Sequence, residues 1–217
     1  PQAMKVLEIE AEKIKEGVLE LAYTQKIHVE KDQNDINVYL MPYYLSENGV
    51  CKEMIRLAQY DFENLNIDVD HEIKLIEREE GIKLAQNQVM AVKEAIEKGV
   101  VIITGGPGTG KTTTINTIIK VFENNDQKVV LAAPTGRAAK RMSETSNKEA
   151  KTIHRLLEMG FGMDSDELTF MKNEEDPIDA DVVILDEVSM VDIVLMYSLL
   201  RAIKSGTRLL IVGDSDQ

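Results

Sequence analysis

The 217-residue sequence contains no tryptophan, few other aromatics and a single cysteine. Aromatic residues make up 5% of the chain, so its core has to be assembled from Ile, Leu, Val, Ala and ten Met. A lone cysteine excludes an internal disulfide, and the neighbouring Val50 and Met54 predict that Cys51 is a small buried hydrophobe rather than a nucleophile or metal ligand. No apolar run comes near the roughly 20 residues that a membrane-spanning helix needs. The opening PQAMKVLEIEAEKIKEG is too charged to hold the apolar segment of a secretory signal, which points to the cytoplasm. Basic residues are in deficit: 25 Lys and Arg stand against 38 Asp and Glu, for a net charge of −13. Diffuse attraction to polyanions is thereby excluded, and any nucleic-acid site has to be local. What is present, 43% hydrophobic residues over this length, suits one large domain or a domain with a smaller neighbour.

Leu7, Ala11, Ile14, Val18 and Leu21 recur at spacings of four and three, which predicts one helix with these residues along a single face. Ile27 and Val29 alternate with polar residues, DQND offers a turn, and Ile36, Val38 and Leu40 alternate again; this is the pattern of a hairpin, with Pro42 ending its second strand. A further helix is predicted from Ser46 to about Phe62, and the charged stretch to Gly81 reads as a connector. Helix, two-stranded wing and helix over residues 1–80 resemble part of a winged-helix-like α+β module. Nothing basic or aromatic gathers on it, so a small packing domain without a ligand stands equally with a DNA-binding wing.

The pattern changes at about Ile82 and defines a second region over residues 81–217. Gln86 to Lys98 predicts a helix closed by Gly99, followed by VVIIT, a glycine-rich turn and another helix. The alternation continues through KVVLAA, a helix after Pro134, DVVILDE, a helix after Ser189, and RLLIVGD. Apolar runs separated by helices predict an α/β fold, a parallel sheet covered by helices on both faces. The acidic FGMDSDELTFMKNEEDPID interrupts this order as a surface excursion.

Gly105 to Thr112 reads GGPGTGKT and satisfies G-x-x-x-x-G-K-[ST] directly after a strand and before a helix, the context the motif requires. Its glycines let backbone N–H groups curl around phosphate oxygens, the helix N-terminus adds partial positive charge, and Lys111 reaches the β and γ phosphates while Thr112 ligates Mg²⁺. VVILDEVSM then ends an apolar strand in Asp186 and Glu187, at the sheet edge where ligands of open parallel sheets gather. There Asp186 is expected to hold Mg²⁺ and Glu187 to take a proton from the attacking water. An Asp-Glu pair after a strand is also a common helix-start charge pair; coupled to the P-loop, catalysis is the stronger reading. RLLIVGDSDQ ends in Gly213, Asp214, Asp216 and Gln217, where an amide is placed to touch the γ-phosphate, although Gly-Asp after a strand is ordinary turn chemistry.

Between Lys128 and Arg155 the balance of charge reverses: Lys128, Arg137, Lys140, Arg141, Lys148, Lys151 and Arg155 face only Glu144 and Glu149. APTG follows a strand, which puts the N–H groups of Gly136 and its neighbours at a helix N-terminus. TIHRLL follows, with Thr152 as a plausible N-cap. Together these segments suit the successive phosphates of a single strand; a solvated helix face explains most other charge runs.

GGPGTGKTT, APTGRAAKRM, TIHRLL, ILDEVSMVD and VGDSDQ, in this order from Leu84 to Gln217, resemble superfamily 1 DNA helicases of the RecD type, the family that includes the exodeoxyribonuclease V alpha subunit. VYLMPYYLSENGVCKEMIRL is similar to the region before the motor in the stand-alone members. The resemblance implies a RecA-like first motor domain that binds ATP and Mg²⁺ and grips single-stranded DNA. In the whole enzyme it implies 5′–3′ movement and duplex separation. It assigns the nucleotide to Gly106, Pro107, Gly108, Thr109, Gly110, Lys111, Thr112 and Thr113, and the adenine to Gln88. Metal falls to Thr112 and Asp186, and catalysis to Lys111, Glu187 and the γ-phosphate sensor Gln217. The DNA strand falls to Pro134, Thr135, Gly136, Arg137, Thr152 and His154, the last of which is equally suited to a structural hydrogen bond at a helix start. The family's second RecA-like domain does not follow Gln217, so the 217 residues read as a fragment expected to bind nucleotide without rapid hydrolysis or unwinding. Two rival readings are a P-loop ATPase acting on a partner other than nucleic acid, and a nucleotide-binding interaction module in which Glu187 is incidental.

Overall fold

The computed structural model describes residues 2–32, 35–62, 65, 67–106, 108–161 and 168–214. It divides into two units, Pro1–Gly49 and Val50–Gln217. In the first, the single helix expected from Leu7 to Leu21 is broken: α1 (Gln2–Leu7) ends where Glu8 takes a left-handed φ of 54°, and α2 (Ala11–Tyr23) follows. Strands β1 (Ile27–Asp32) and β2 (Asp35–Leu40) form the expected antiparallel hairpin, with Val29 opposite Val38. Gln33 and Asn34 of the expected turn lie outside the described residues. The next helix, α3 (Met41–Ala58), begins earlier than its periodicity predicts. Pro42 ends the strand and also sits in the helix's first turn, where a missing N–H costs nothing.

Within the second unit, Val50, Met54 and Leu57 of α3 form an inward row at helical spacing and join a core cluster with Leu199, Leu200 and Ile203. Cys51 is one position further round the helix and is exposed, contrary to the expectation of burial. Between residues 62 and 81 there is a helix rather than a connector, α4 (Val69–Glu80). The Asp68 side chain caps it by accepting from the His71 N–H at 3.0 Å, Gly81 closes it in the left-handed region at φ 63°, and Ile73 and Ile76 are its buried face.

Helix α5 (Gln86–Glu97) leads into the sheet, whose strands are β3 (Val100–Thr104), β4 (Val129–Ala133), β5 (Ala150–Thr152), β8 (Val182–Leu185) and β9 (Arg208–Gly213). Between β5 and β8 the acidic excursion contains a separate hairpin, β6 (Met159–Phe161) and β7 (Leu168–Phe170). Among the described residues the main sheet has five strands in the order β3-β9-β8-β4-β5, every neighbouring pair parallel. Helices α6 (Lys111–Asn124), α7 (Gly136–Ser146), α8 (Ile153–Leu156) and α9 (Ile193–Arg201) intervene in sequence. The alternation of side chains along the central strands fills both layers. Val182, Ile184, Leu210 and Val212 join the cluster that contains Ile118, Phe122 and Met142, while Val183, Leu185, Leu209 and Ile211 join the one that contains Leu57 and Leu199. At the sheet edge β3 is less enclosed, with Ile102 62% exposed.

The helix ends at Glu97 with an extended Lys98 as its C-cap, so Gly99 does not close α5 as expected. Its φ is not in the left-handed region; instead a Cβ there would collide with the Leu57 carbonyl oxygen and lie 3.0 Å from the Phe62 ring. A backbone oxygen cannot swing aside as a side chain does. Gly99→Ala is expected to destabilise this chain by about 3 kcal/mol, the upper range for overpacking, read from the urea-unfolding midpoint. An unchanged midpoint would mean that α3 shifts freely over β3.

No described helix is long and apolar enough to cross a membrane.

Candidate nucleotide and nucleic-acid site

Strand β3 ends at Thr104 and α6 begins at Lys111, so the glycine-rich segment spans the turn between them. Gly108 and Gly110 have φ of 76° and 84°, values that side chains with a Cβ rarely adopt. Gly110 has a second constraint, since a Cβ there would meet the Gln88 amide. That amide is fully engaged: Oε1 accepts from the Ala85 N–H at 2.8 Å, and Nε2 donates to the carbonyls of Thr109 at 3.4 Å and Gly110 at 3.3 Å. Gln88 therefore ties the start of α5 to the loop. Inside the loop the Thr109 hydroxyl donates to the Gly106 carbonyl at 2.9 Å.

Lys111 Nζ points back into the loop, donating to the Gly105 and Gly106 carbonyls, and pairs with Asp214 Oδ1 at 2.6 Å. The strand order explains that pairing. With β9 between β3 and β8, its carboxyl end brings Gly213 and Asp214 between the P-loop and the end of β8, where Asp186 and Glu187 follow. Asp186 Oδ1 accepts from the Glu187 N–H at 2.9 Å, and Glu187 holds a left-handed backbone at φ 56°. A cleft of about 500 Å³ is lined by Gly106, Gly108, Gly110, Lys111, Thr112, Asp186, Glu187, Gly213 and Asp214, with Ile115, Arg141, Met142 and Thr145 completing the wall. The structure thus brings together the loop lysine, its threonine and the two carboxylates. Thr113 instead lines a neighbouring groove of about 610 Å³ with Asn116 and Lys120. Pro107 and Gln217 lie outside the described residues.

Thr135 and Thr152 are both N-caps, accepting from the N–H groups of Ala138 and Arg155 at 3.2 Å each. Ala133 and Thr152 are partners in the β4–β5 register, so Pro134, Thr135 and Gly136 sit beside Thr152 at the carboxyl ends of adjacent strands. With the Ala138 N–H taken by Thr135, the N–H groups of Gly136 and Arg137 are the first-turn donors of α7 left available to an anion. Arg137 and His154 are exposed, and the His154 ring is tilted against Phe170 at 5.9 Å.

The basic run from Lys128 to Arg155 does not fold into one patch, contrary to expectation. Lys128 pairs with Asp179 at 2.6 Å, Lys148 with Glu123, and Lys140 with Glu144 at 3.8 Å on its own helix. Arg141 turns to the nucleotide cleft, 3.8 Å from Glu187 Oε1. The sequence places it only among the cations of the run from Lys128 to Arg155. The only local signal was its spacing from Met142 and Ala139, which are buried and set the rotation of α7.

A glycine-rich strand-to-helix loop, a lysine seated in it and carboxylates at the end of a parallel strand define a P-loop nucleotide-binding domain on a RecA-like sheet. The chain belongs to the AAA domain family, whose family model matches residues 88–217, and within it resembles the RecD-like superfamily 1 helicases. It is 42% identical over 134 residues to the ATP-dependent RecD2 DNA helicase of Deinococcus radiodurans, covering 62% of this chain and 18% of that protein. With the RecBCD enzyme subunit RecD of Mycolicibacterium smegmatis it shares 33% identity over 203 residues, 83% of this chain and 35% of that subunit. Among solved structures, a Bacteroides Pif1 bound to ssDNA is similar at 26% identity with a TM-score of 0.44, over 61% of this chain and 32% of that one. The chain therefore spans 18% and 35% of the length of the two curated relatives.

Proposed function

We propose that this chain is the nucleotide- and strand-binding part of an ATP-dependent 5′–3′ DNA helicase or translocase of the RecD type, acting in the cytoplasm. The observation that carries the reading is the cleft shared by Lys111, Thr112, Asp186 and Glu187, with the capped start of α7 at the end of β4, the strand next to β8. In this assignment Gly106, Pro107, Gly108, Thr109 and Gly110 cradle the phosphates, and Lys111 meets the β and γ groups, whereas Thr113 faces the neighbouring groove. Gln88 exchanges its carbonyl partners for the adenine, and Gln217 contacts the γ-phosphate.

Thr112 and Asp186 offer hard oxygen donors in one cleft, a set that fits Mg²⁺ held together with nucleotide phosphates. When bound, the ion neutralises charge on the phosphates. Glu187 takes the proton of a water whose oxygen bonds to the γ-phosphorus, while the bond from that phosphorus to the bridging oxygen breaks and ADP leaves with the electron pair. Pro134, Thr135, Gly136, Arg137, Thr152 and His154 line the path of single-stranded DNA.

The test is ATP turnover by the full-length protein with and without a thymidine oligonucleotide. Strong stimulation is expected. A rate indifferent to the oligonucleotide would overturn the helicase reading in favour of an ATPase working on another partner. Arg137→Ala should weaken oligonucleotide binding roughly tenfold, the worth of one charge-assisted phosphate contact, and leave ATP affinity unchanged. Equal loss of both would remove Arg137 from the strand path.

A further inference from the structure

We propose that Arg141 is a γ-phosphate ligand supplied by this same chain, held before nucleotide arrives by the carboxylate of Glu187. This rests on the nucleotide reading of the cleft and assigns within it a residue that the motif comparison left unassigned. Buried Met142 and Ala139 turn α7 so that Arg141 looks into the cleft beside Thr145 and Ile115, opposite the loop that carries Lys111 and Thr112. The adjacent Lys140 points elsewhere and pairs with Glu144.

The present partner of Arg141 holds it loosely. A single contact of 3.8 Å to Glu187, with the guanidinium side chain 75% exposed, is a screened ion pair of little worth. A triphosphate entering the cleft brings several negative charges and oxygens arranged for the planar guanidinium fork, and charge-assisted, bidentate bonds to phosphate are stronger than this pairing. Transfer of Arg141 to the γ-phosphate would also leave the Glu187 carboxylate free to accept a proton from water. The side chain thus faces Glu187 in the resting cleft and the γ-phosphate in the loaded one.

The contact is to the γ-phosphate, so it discriminates between triphosphate and diphosphate. The experiment titrates the 217-residue chain, with Mg²⁺ and without DNA, with AMP-PNP and separately with ADP. For Arg141→Gln, AMP-PNP affinity is expected to fall about tenfold while ADP affinity changes by less than about twofold. Arg141→Lys, which keeps the charge without the fork, should fall between wild type and Gln. Thermal midpoints should stay together, because the replaced side chain is largely in solvent. Equal weakening of both nucleotides, or of neither, overturns the proposal, as does a wild-type chain that binds neither. Oligonucleotide binding is measured separately, so failure here is distinguishable from failure of the strand-binding reading.

Discussion

Lys111→Ala lowers ATP turnover of the full-length protein by an expected 10²–10³-fold, roughly the effect of removing one preorganised donor from a developing anionic centre. The ammonium is already in position: it donates to the Gly105 and Gly106 carbonyls and pairs with Asp214, and its side chain is 21% exposed. Phosphate therefore meets a charge whose desolvation and orientation have been settled by the fold. Removal does more than delete an attraction, because the Asp214 carboxylate, 18% exposed, is left without that partner beside the cleft. Two variants separate these effects. Lys111→Ala with Asp214→Asn removes the stranded charge; it should regain thermal stability but not turnover. Lys111→Arg keeps the charge, yet its wider planar head does not reproduce a compact ammonium among two loop carbonyls and a carboxylate, so turnover should remain low. If Lys111→Ala retains wild-type turnover, the cleft is not where ATP is hydrolysed.

The elements that carry this chemistry were legible because their signals are local. A strand, GGPGTGKT and a helix are contiguous, and the loop's special φ values fall on the glycines Gly108 and Gly110. The helix start after Pro134 and the cap at Thr152 were legible for the same reason, whereas the motif resemblance assigns Thr135 to the DNA strand and not to the cap it forms. Strand order was not, because the placement of β9 between β3 and β8 is a pairing between distant segments; the Lys111–Asp214 contact depends on it and so could not be foreseen. The run of cations misled in a related way. Adjacency in sequence says nothing about which acidic residue arrives from another element, and Glu123 and Asp179 each arrive from elsewhere to pair with Lys148 and Lys128. The helix at Val69–Glu80 was missed although its caps, Asp68 and Gly81, are plain in sequence, because its charge obscured the short apolar row of Ile73 and Ile76. At Cys51 the apolar neighbours were read correctly and the angular offset around α3 was not.

Glu187→Gln tests the step that divides a motor from a passive nucleotide binder. The exchange preserves size and hydrogen-bonding reach, and the backbone bond from Glu187 N–H to Asp186 Oδ1 does not involve the altered group. Gln experiences the same left-handed backbone, so strain at φ 56° is common to both proteins and cancels from the comparison. What disappears is the capacity to accept a proton. Turnover should fall by about 10²–10⁴-fold, the range for loss of a positioned general base. Nucleotide affinity should hold or tighten, since a negative charge near the γ-phosphate is gone and Arg141 loses its resting partner. Glu187→Gly offers the complementary measurement: glycine adopts the left-handed backbone freely, so the thermal midpoint should rise although turnover is lost. Such a rise would mean that the strained position is retained for its carboxylate rather than for the fold. Wild-type turnover in Glu187→Gln would instead make that carboxylate incidental and favour a nucleotide-binding interaction module over an ATP-driven motor.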